Sequence, residues 1–382
     1  MNIPFNKLHL TGNEIMYMKQ ALDTGSISGD GYFNNKVCTL LEDRLKGSKI
    51  ITTTSGTHAL EMAMLLLAIK EEDEVIMPSY TFPSTANAVM LYGATPVFVD
   101  IDKNTLTMDL EEVERKITEH TKVIMPVHYG GTGCQMDRIM NLSEKYNLQI
   151  VEDAAQALGT TYKGKPLGTW GHIGCFSFHA TKNYVSGEGG ALAINTKDND
   201  ILKRAEIIRQ KGTNRNQFMR GEISQYTWVD IGSSYAPSDI LMALLYPQLK
   251  DIDNIIKKRK WITGEYIKHL KIYLDKKIIC SMTSIPKDFE SNYHNFYILL
   301  RNKKERKYIV DRLNEYNIQA YIHFVPLHNS PKGLSLGYKE GELPKTEKVS
   351  NTLLRLPIYT DMNKKELNYI LEKLSLVLEE LF

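Results

Sequence analysis

A lysine just ahead of a run of glycines is the feature of this chain most able to do chemistry. The segment reads Ser177-Phe178-His179-Ala180-Thr181-Lys182-Asn183, and Gly187-Glu188-Gly189-Gly190 follows it. A lysine that forms a Schiff base must attack as the neutral amine, and burial beside apolar or cationic groups keeps it neutral. The glycines allow a sharp turn and leave room for a flat ring. A solvated lysine in a glycine-rich turn would be spelled the same way, so the segment needs partners.

Three further segments supply them. Val151-Glu152-Asp153-Ala154-Ala155-Gln156 ends an apolar run on two carboxylates. A pyridine ring works as an electron sink only while its nitrogen is protonated, and a buried carboxylate maintains that state by ion pairing. Asp153 suits the role, with Gln156 in reach of a ring oxygen. Glu152 should face the other way, because strand side chains alternate; an ordinary acidic strand end is the alternative. Thr52-Thr53-Thr54-Ser55-Gly56-Thr57-His58-Ala59-Leu60 opens an apolar helix. The free N–H groups of a helix start, with the dipole behind them, bind phosphate, and the hydroxyls of Ser55 and Thr57 add donors. A plain N-cap is the competing reading. In Pro78-Ser79-Tyr80-Thr81-Phe82 an aromatic could stack on a cofactor ring or simply fill a core loop. Taken in order, these are the parts of a fold-type I pyridoxal-phosphate (PLP) enzyme. No GxxxxGK[ST] occurs, so P-loop nucleotide hydrolysis is unsupported.

The elements that must position these groups follow from periodicity. Apolar runs at Glu74–Pro78, Pro96–Ile101, Lys122–Val127, Gln149–Val151 and Ala191–Ile194 alternate with helical stretches. Those stretches are Thr57–Ile69, Ser84–Tyr92, Leu110–Ile117, Arg138–Tyr146 and Ile201–Arg209. Such alternation predicts a mostly parallel sheet flanked by helices, which presents ligands at the carboxyl ends of its strands. Beyond about Ser238 the pattern changes. One long helix is expected from Asp239 to about Leu274, then strands at Tyr293–Leu300 and Gln319–Phe324 and helices at Lys304–Asn317 and Lys364–Leu381. The expected division is a large cofactor-binding α/β domain over 1–240 and a small C-terminal α+β domain over 241–382.

Bulk properties narrow the function. With 47 basic and 45 acidic side chains the formal charge is +2, which gives no electrostatic case for nucleic acid or an anionic membrane. The four cysteines are scattered without a CxxC, and the ten histidines form no HExxH or ligand-spaced cluster. Neither a structural metal nor a disulfide framework is expected. No stretch reads as a signal peptide or membrane span, so the cytoplasm is the expected compartment.

Along essentially its whole length the chain resembles the sugar aminotransferases of the DegT/StrS family. The resemblance rests on Asp30-Gly31, Thr54–Leu60, Asp73–Ser84, Pro126–Gly130, Val151–Gln156, Ser177–Asn183 and Pro326-Leu327-His328. It is nearest to a branch that makes a dTDP-linked 4-amino-4,6-dideoxygalactose. That rests on Pro4-Phe5-Asn6, Pro78–Phe82, Pro126-Val127-His128-Tyr129, Lys211–Arg215, Tyr226-Thr227-Trp228 and Asp230–Tyr235. The resemblance implies that Lys182 holds PLP covalently and shuttles the proton. It implies that Asp153 pairs with the ring nitrogen and Gln156 meets the ring oxygen. Ser55, Gly56, Thr57 and Ser177 would bind the phosphate, and Phe82 would stack on the ring. Many relatives place an Asn at the position of Ser234 and offer it to the neighbouring subunit's cofactor phosphate. An Arg common two residues later is Ala236 here.

The implied reaction moves the amino group of L-glutamate through the cofactor to C4 of dTDP-4-keto-6-deoxyglucose, for a cell-surface polysaccharide. Lys211 and Arg215, in the loop from 211 to 220, and His323 and His328 are the expected substrate contacts. A homodimer with shared active sites is also implied. A sugar dehydratase of the same fold would carry histidine in place of Lys182, and a non-catalytic binding module would not need Asp153 and Lys182 together.

Overall fold

The computed structural model describes residues 1–381. Among the described residues thirteen strands follow one another. They are β1 (Lys49–Thr53), β2 (Glu74–Pro78), β3 (Thr95–Val99), β4 (Thr121–Ile124), β5 (Gln149–Asp153), β6 (Thr161–Tyr162) and β7 (Lys165–Pro166). Then come β8 (Ile173–Ser177), β9 (Gly190–Ile194), β10 (Ser281–Met282), β11 (Phe289–Glu290), β12 (Phe296–Leu299) and β13 (Leu353–Leu356). Seven form one sheet in the order β1-β9-β8-β5-β4-β2-β3. The β3-β2, β2-β4, β4-β5 and β5-β8 pairs are parallel, and β9 is antiparallel to both β8 and β1. This is the mostly parallel, helix-covered sheet of fold-type I PLP enzymes.

Side-chain alternation divides the interior between the two faces of that sheet. Ile50, Ile76, Val99, Ile124, Ile150, Phe176 and Ala191 join one buried cluster. Their strand neighbours Ile51, Val75, Met77, Phe98, Val123, Val151, Cys175 and Leu192 join the other. Full burial of each large aliphatic contributes about 1.5–3 kcal/mol, so the register of the central strands is strongly fixed. A third core gathers Tyr266, Phe296, Ile298, Leu354, Leu356, Ile370 and Leu374, with Ile3 folding back from the N-terminus. It is built on the sheet β10-β12-β13.

The second half departs from expectation in three respects. The single long helix is two, Asp239–Lys250 and Ile252–Asp275. Pro247 lies inside the first helix and leaves the Ala243 carbonyl without its helical donor; the helix ends four residues later at its C-cap, Asp251. Met242, Ala243, Leu245, Leu249 and Ile255 belong to the core of the large sheet, which therefore extends beyond residue 240. Gln319–Phe324 forms no strand; it meets β13 only at the bridge between Tyr321 and Arg355. Pro326, which has no N–H to donate, lies beyond the end of that contact.

Candidate active site

The strands β1, β2, β5 and β8 run the same way, so Ser55, Phe82, Asp153 and Ser177 all lie at or just past carboxyl ends. There they border a cavity of about 720 Å³. Of the residues expected at the site, Ser55, Gly56, Thr57, Phe82, Asp153, Gln156, Ser177, Lys182 and His323 line it.

One end of the cavity is a helix start. Ser55 caps the helix Gly56–Leu66 in extended geometry, and its Oγ accepts from the His58 N–H at 3.0 Å. The N–H groups of Gly56 and Thr57 fall in the first turn, where a helix offers no acceptor. Thr57 Oγ1 lies 2.7 Å from Ser84 Oγ. Gly56 packs so tightly that a Cβ there would stand 2.7 Å from Ser177 Cβ. Glycine is needed at this point to bring the helix start against β8. These backbone and hydroxyl donors, with no carboxylate among them, fit a phosphate group.

The other end holds the two groups for ring chemistry. Asp153 is buried; its Oδ2 accepts from Thr85 Oγ1 at 2.8 Å and its Oδ1 from the Ala155 N–H at 3.2 Å. Both contacts fix the orientation of the carboxylate at the cavity wall. The Lys182 amine is held down at about 8, chiefly by burial, with Asp153 opposing the shift and Arg355 adding to it. An amine tuned there is neutral about a tenth of the time at pH 7, far more than an ordinary lysine, and can take or return a proton. Gln156 Oε1 accepts from the Gly130 N–H at 2.8 Å, which leaves its NH2 group to donate into the cavity. Phe82 is 60% exposed on the cavity rim, where its ring is free to cover a ligand.

Glu152 faces the opposite way, as strand alternation requires. Its carboxylate accepts from His128 Nε2 at 2.9 Å and from the N–H groups of Gly168, Trp170 and Gly171, each at 2.7 Å. Burial disfavours the His128 cation, but contacts with Cys134 and Glu152 outweigh it and raise this imidazole to about 9.

Four expected residues lie outside the cavity. His328 is fully buried, with Nδ1 2.7 Å from Ser79 Oγ and Nε2 3.0 Å from Glu347. It ties a loop to β2 and has no free face for a substrate. Lys211, Arg215 and Ser234 sit on an arm closed by the bridges Gln210–Ser234 and Thr213–Trp228. None of the three reaches the cavity of its own chain.

The structure also brings in groups that the sequence pattern did not single out: Thr85, His294, Asn295 and Arg355. Burial first, then nearby positive charge, pushes His294 and His323 well below the usual histidine range, so both are neutral at pH 7. Arg355 had one visible signal, a lone charge in the apolar run Leu353-Leu354-Arg355-Leu356-Pro357. Among the described residues no cluster of three or more His, Cys, Asp or Glu side chains is placed to hold a metal. No described helix is long and apolar enough to cross a membrane.

The chain is similar to known proteins in sequence and in fold. The model of the DegT/DnrJ/EryC1/StrS aminotransferase family matches residues 9–375. GDP-perosamine synthase of Escherichia coli O157:H7 is 32% identical over 98% of each chain. UDP-4-amino-4-deoxy-L-arabinose–oxoglutarate aminotransferase of Shewanella sediminis is 35% identical over 85% of each. The PLP form of Spr1654 from Streptococcus pneumoniae superposes with a TM-score of 0.90 at 28% identity, with 100% of each chain covered. The chain therefore belongs to the DegT/DnrJ/EryC1/StrS family and is a PLP-dependent sugar aminotransferase.

Proposed function

We propose that this enzyme transfers the amino group of L-glutamate to C4 of a nucleotide-linked 4-keto-6-deoxy sugar. The proposed substrate is dTDP-4-keto-6-deoxyglucose, and the products are 2-oxoglutarate and the galacto-configured 4-amino sugar, destined for a cell-surface polysaccharide. The observation that carries the chemistry is that Lys182, half-buried and tuned to about 8, shares one cavity with the hydrogen-bonded carboxylate of Asp153. The sugar follows from the family resemblance. A GDP-linked sugar is the second reading, favoured by the relative named for GDP-perosamine, which matches over nearly the whole chain.

In this reading Ser55, Gly56, Thr57 and Ser177 hold the cofactor phosphate and Phe82 covers the ring. Bound PLP supplies the electron sink for the carbon that loses its proton. Asp153 keeps the ring nitrogen protonated, and Thr85 keeps Asp153 aimed at it. Lys182 Nζ removes the proton from the donor's Cα and later delivers one to C4 of the sugar. His294 and His323, both neutral, add no charge of their own to the cavity wall around that transfer.

The working unit we propose is a homodimer in which Ser234 of each chain approaches the partner's site. The arm that carries it exposes Met219 at 65%, Trp228 at 77% and Ile231 at 58%, apolar surface that suits a covering subunit. Lys211 and Arg215 lie on the same arm and would contact the partner's substrate.

Incubation of the purified enzyme with glutamate and the dTDP-, GDP- or UDP-linked 4-keto sugar, with NMR of the product, tests the assignment. Amination at C4 of the dTDP sugar, with the amine in the galacto orientation, is expected. Turnover confined to the GDP sugar would replace it with the second reading.

A further inference from the structure

Arg355 is a cation that the cofactor chemistry leaves without a task. It occupies β13 between buried Leu354 and Leu356 and turns its side chain from the small sheet into the cavity. Its Nε is buried and has no acceptor. One terminal nitrogen reaches only the Ile322 carbonyl, at 3.4 Å, and the guanidinium stands 4.7 Å over the Phe5 ring. Among the described residues no carboxylate lies within ion-pair distance of it.

The arginines that are buried are satisfied, whereas Arg355 is half-buried. Arg209 pairs with Asp30 and with the Thr52 carbonyl. Arg259 is spent on the carbonyls of Tyr293 and His294, and Arg306 on that of Ser350. No carboxylate answers the charge of Arg355. Asp153 stands against Lys182, Glu188 faces His179, and His294 and His323 are neutral. An uncompensated cation in such a place is unfavourable, and an arriving anion relieves it. Asn295, which also lines the cavity, has a buried side-chain oxygen and nitrogen without partners.

The position of Arg355 selects which anion. The cofactor phosphate fits the helix start at Ser55–Thr57 on the large sheet, whereas Arg355 comes from the small sheet. Arg355 lies close enough to Lys182 for its charge to depress that amine. The carbon whose proton Lys182 moves carries the donor's α-carboxylate one bond away. The diphosphate of a sugar nucleotide, by contrast, is separated from C4 by the sugar ring. We propose that Arg355, assisted by Asn295, is the receptor for the α-carboxylate of the amino donor, held by the planar guanidinium fork. The inference rests on the transamination reading for the donor and does not depend on the sugar.

The test uses full-length PLP-loaded enzyme with Arg355→Gln and Arg355→Lys. Single-turnover mixing with L-glutamate follows loss of the visible band of the bound cofactor. Calorimetry on the amino-form enzyme follows binding of 2-oxoglutarate and, separately, of dTDP. Arg355→Gln should weaken glutamate and 2-oxoglutarate about 10- to 100-fold, as loss of a charge-assisted pair does. Arg355→Lys, which keeps the charge but not the fork, should fall between. Affinity for dTDP should stay within about 2-fold in both. Glutamate binding unchanged in the Gln variant overturns the proposal, and a loss confined to dTDP reassigns Arg355 to the diphosphate. If Arg355→Gln fails to retain cofactor, the Lys variant decides by the same criteria. An enzyme that accepts nitrogen from glutamate yet aminates no nucleotide sugar would refute the sugar assignment and leave this subsite standing.

Discussion

Replacing Gly56 with alanine puts the phosphate end of the site to a quantitative test. At the first position of a helix, Gly→Ala ordinarily gains up to about 1 kcal/mol from propensity. Here the added Cβ would meet Ser177 Cβ at 2.7 Å, roughly an ångström inside a normal carbon–carbon contact. Overpacking of that kind costs about 1–3 kcal/mol, so Gly56→Ala should lose a net 1–2 kcal/mol or so of stability. The same shift moves the helix start away from its ligand. A helix-terminus interaction with an anion is worth on the order of 1 kcal/mol, so cofactor affinity should fall about tenfold. Thermal unfolding of the cofactor-free protein and spectral titration with PLP measure the two effects. Ser177→Gly removes the opposing Cβ, so the double variant should regain most of the lost stability, with a coupling of about 1 kcal/mol in the mutant cycle. If Gly56→Ala is as stable as wild type and binds PLP as tightly, the close packing of helix and β8 does not shape the phosphate site.

Borohydride reduction followed by peptide mass mapping should place the cofactor on Lys182, and Lys182→Ala should fold but lose turnover by several orders of magnitude. Attachment to any other lysine ends that assignment. Asp153→Asn should keep bound cofactor and transaminate poorly, because an amide stabilises a protonated ring nitrogen less than a carboxylate does; near wild-type turnover would make Asp153 structural. The folded Lys182 amine sits at about 8 against an ordinary 10.5, so in cofactor-free protein its contribution makes stability rise with pH between those values and stay level below them. The rate of PLP attachment, which needs the neutral amine, should accordingly climb as pH passes upward through about 8, and a rate independent of pH from 7 to 9 would contradict it. Mixing Lys182→Ala with a folded, inactive variant altered at Ser234 and Tyr235 should restore part of the activity after subunit exchange, since one site in each mixed dimer then carries neither lesion. Exchange shown by mass spectrometry with activity still at background would exclude sharing through this segment.

The cofactor half of the site was legible in the sequence because each of its groups follows a strand of the parallel sheet closely. Ser55, Asp153 and Ser177 stand at or within two residues of a strand end, and periodicity alone located β2, β5 and β9. Two strands of the same sheet, β1 and β8, escaped because Lys49–Thr53 and Ile173–Ser177 mix Thr, Gly and Ser with apolar residues. The small-domain contribution was hardly legible. Arg355, His294 and Asn295 reach the cavity through tertiary packing of β13 and of the segment before β12, which no local period encodes. His328 misled for a related reason. Its motif marks a residue the fold needs, and burial against Ser79 and Glu347 shows the need is mechanical.

The adjacent carboxylates of β5 carry a consequence for how the site is assembled. Glu152 collects three backbone amides from the turn before β8 together with His128, while Asp153 collects Thr85 and the cofactor's side of the cavity. A slip of β5 by one residue that put Glu152 in the place of Asp153 would bring Val151 to the turn, leaving three amides buried without an acceptor and the longer side chain toward the ring. The strand is thus keyed by polar groups as well as by its aliphatic neighbours, and the key is cut at the catalytic position itself. A chain that folded in the wrong register would fail to close its turn before it could misplace its proton, so correct assembly of β5 and competence of the site are checked by the same four hydrogen bonds.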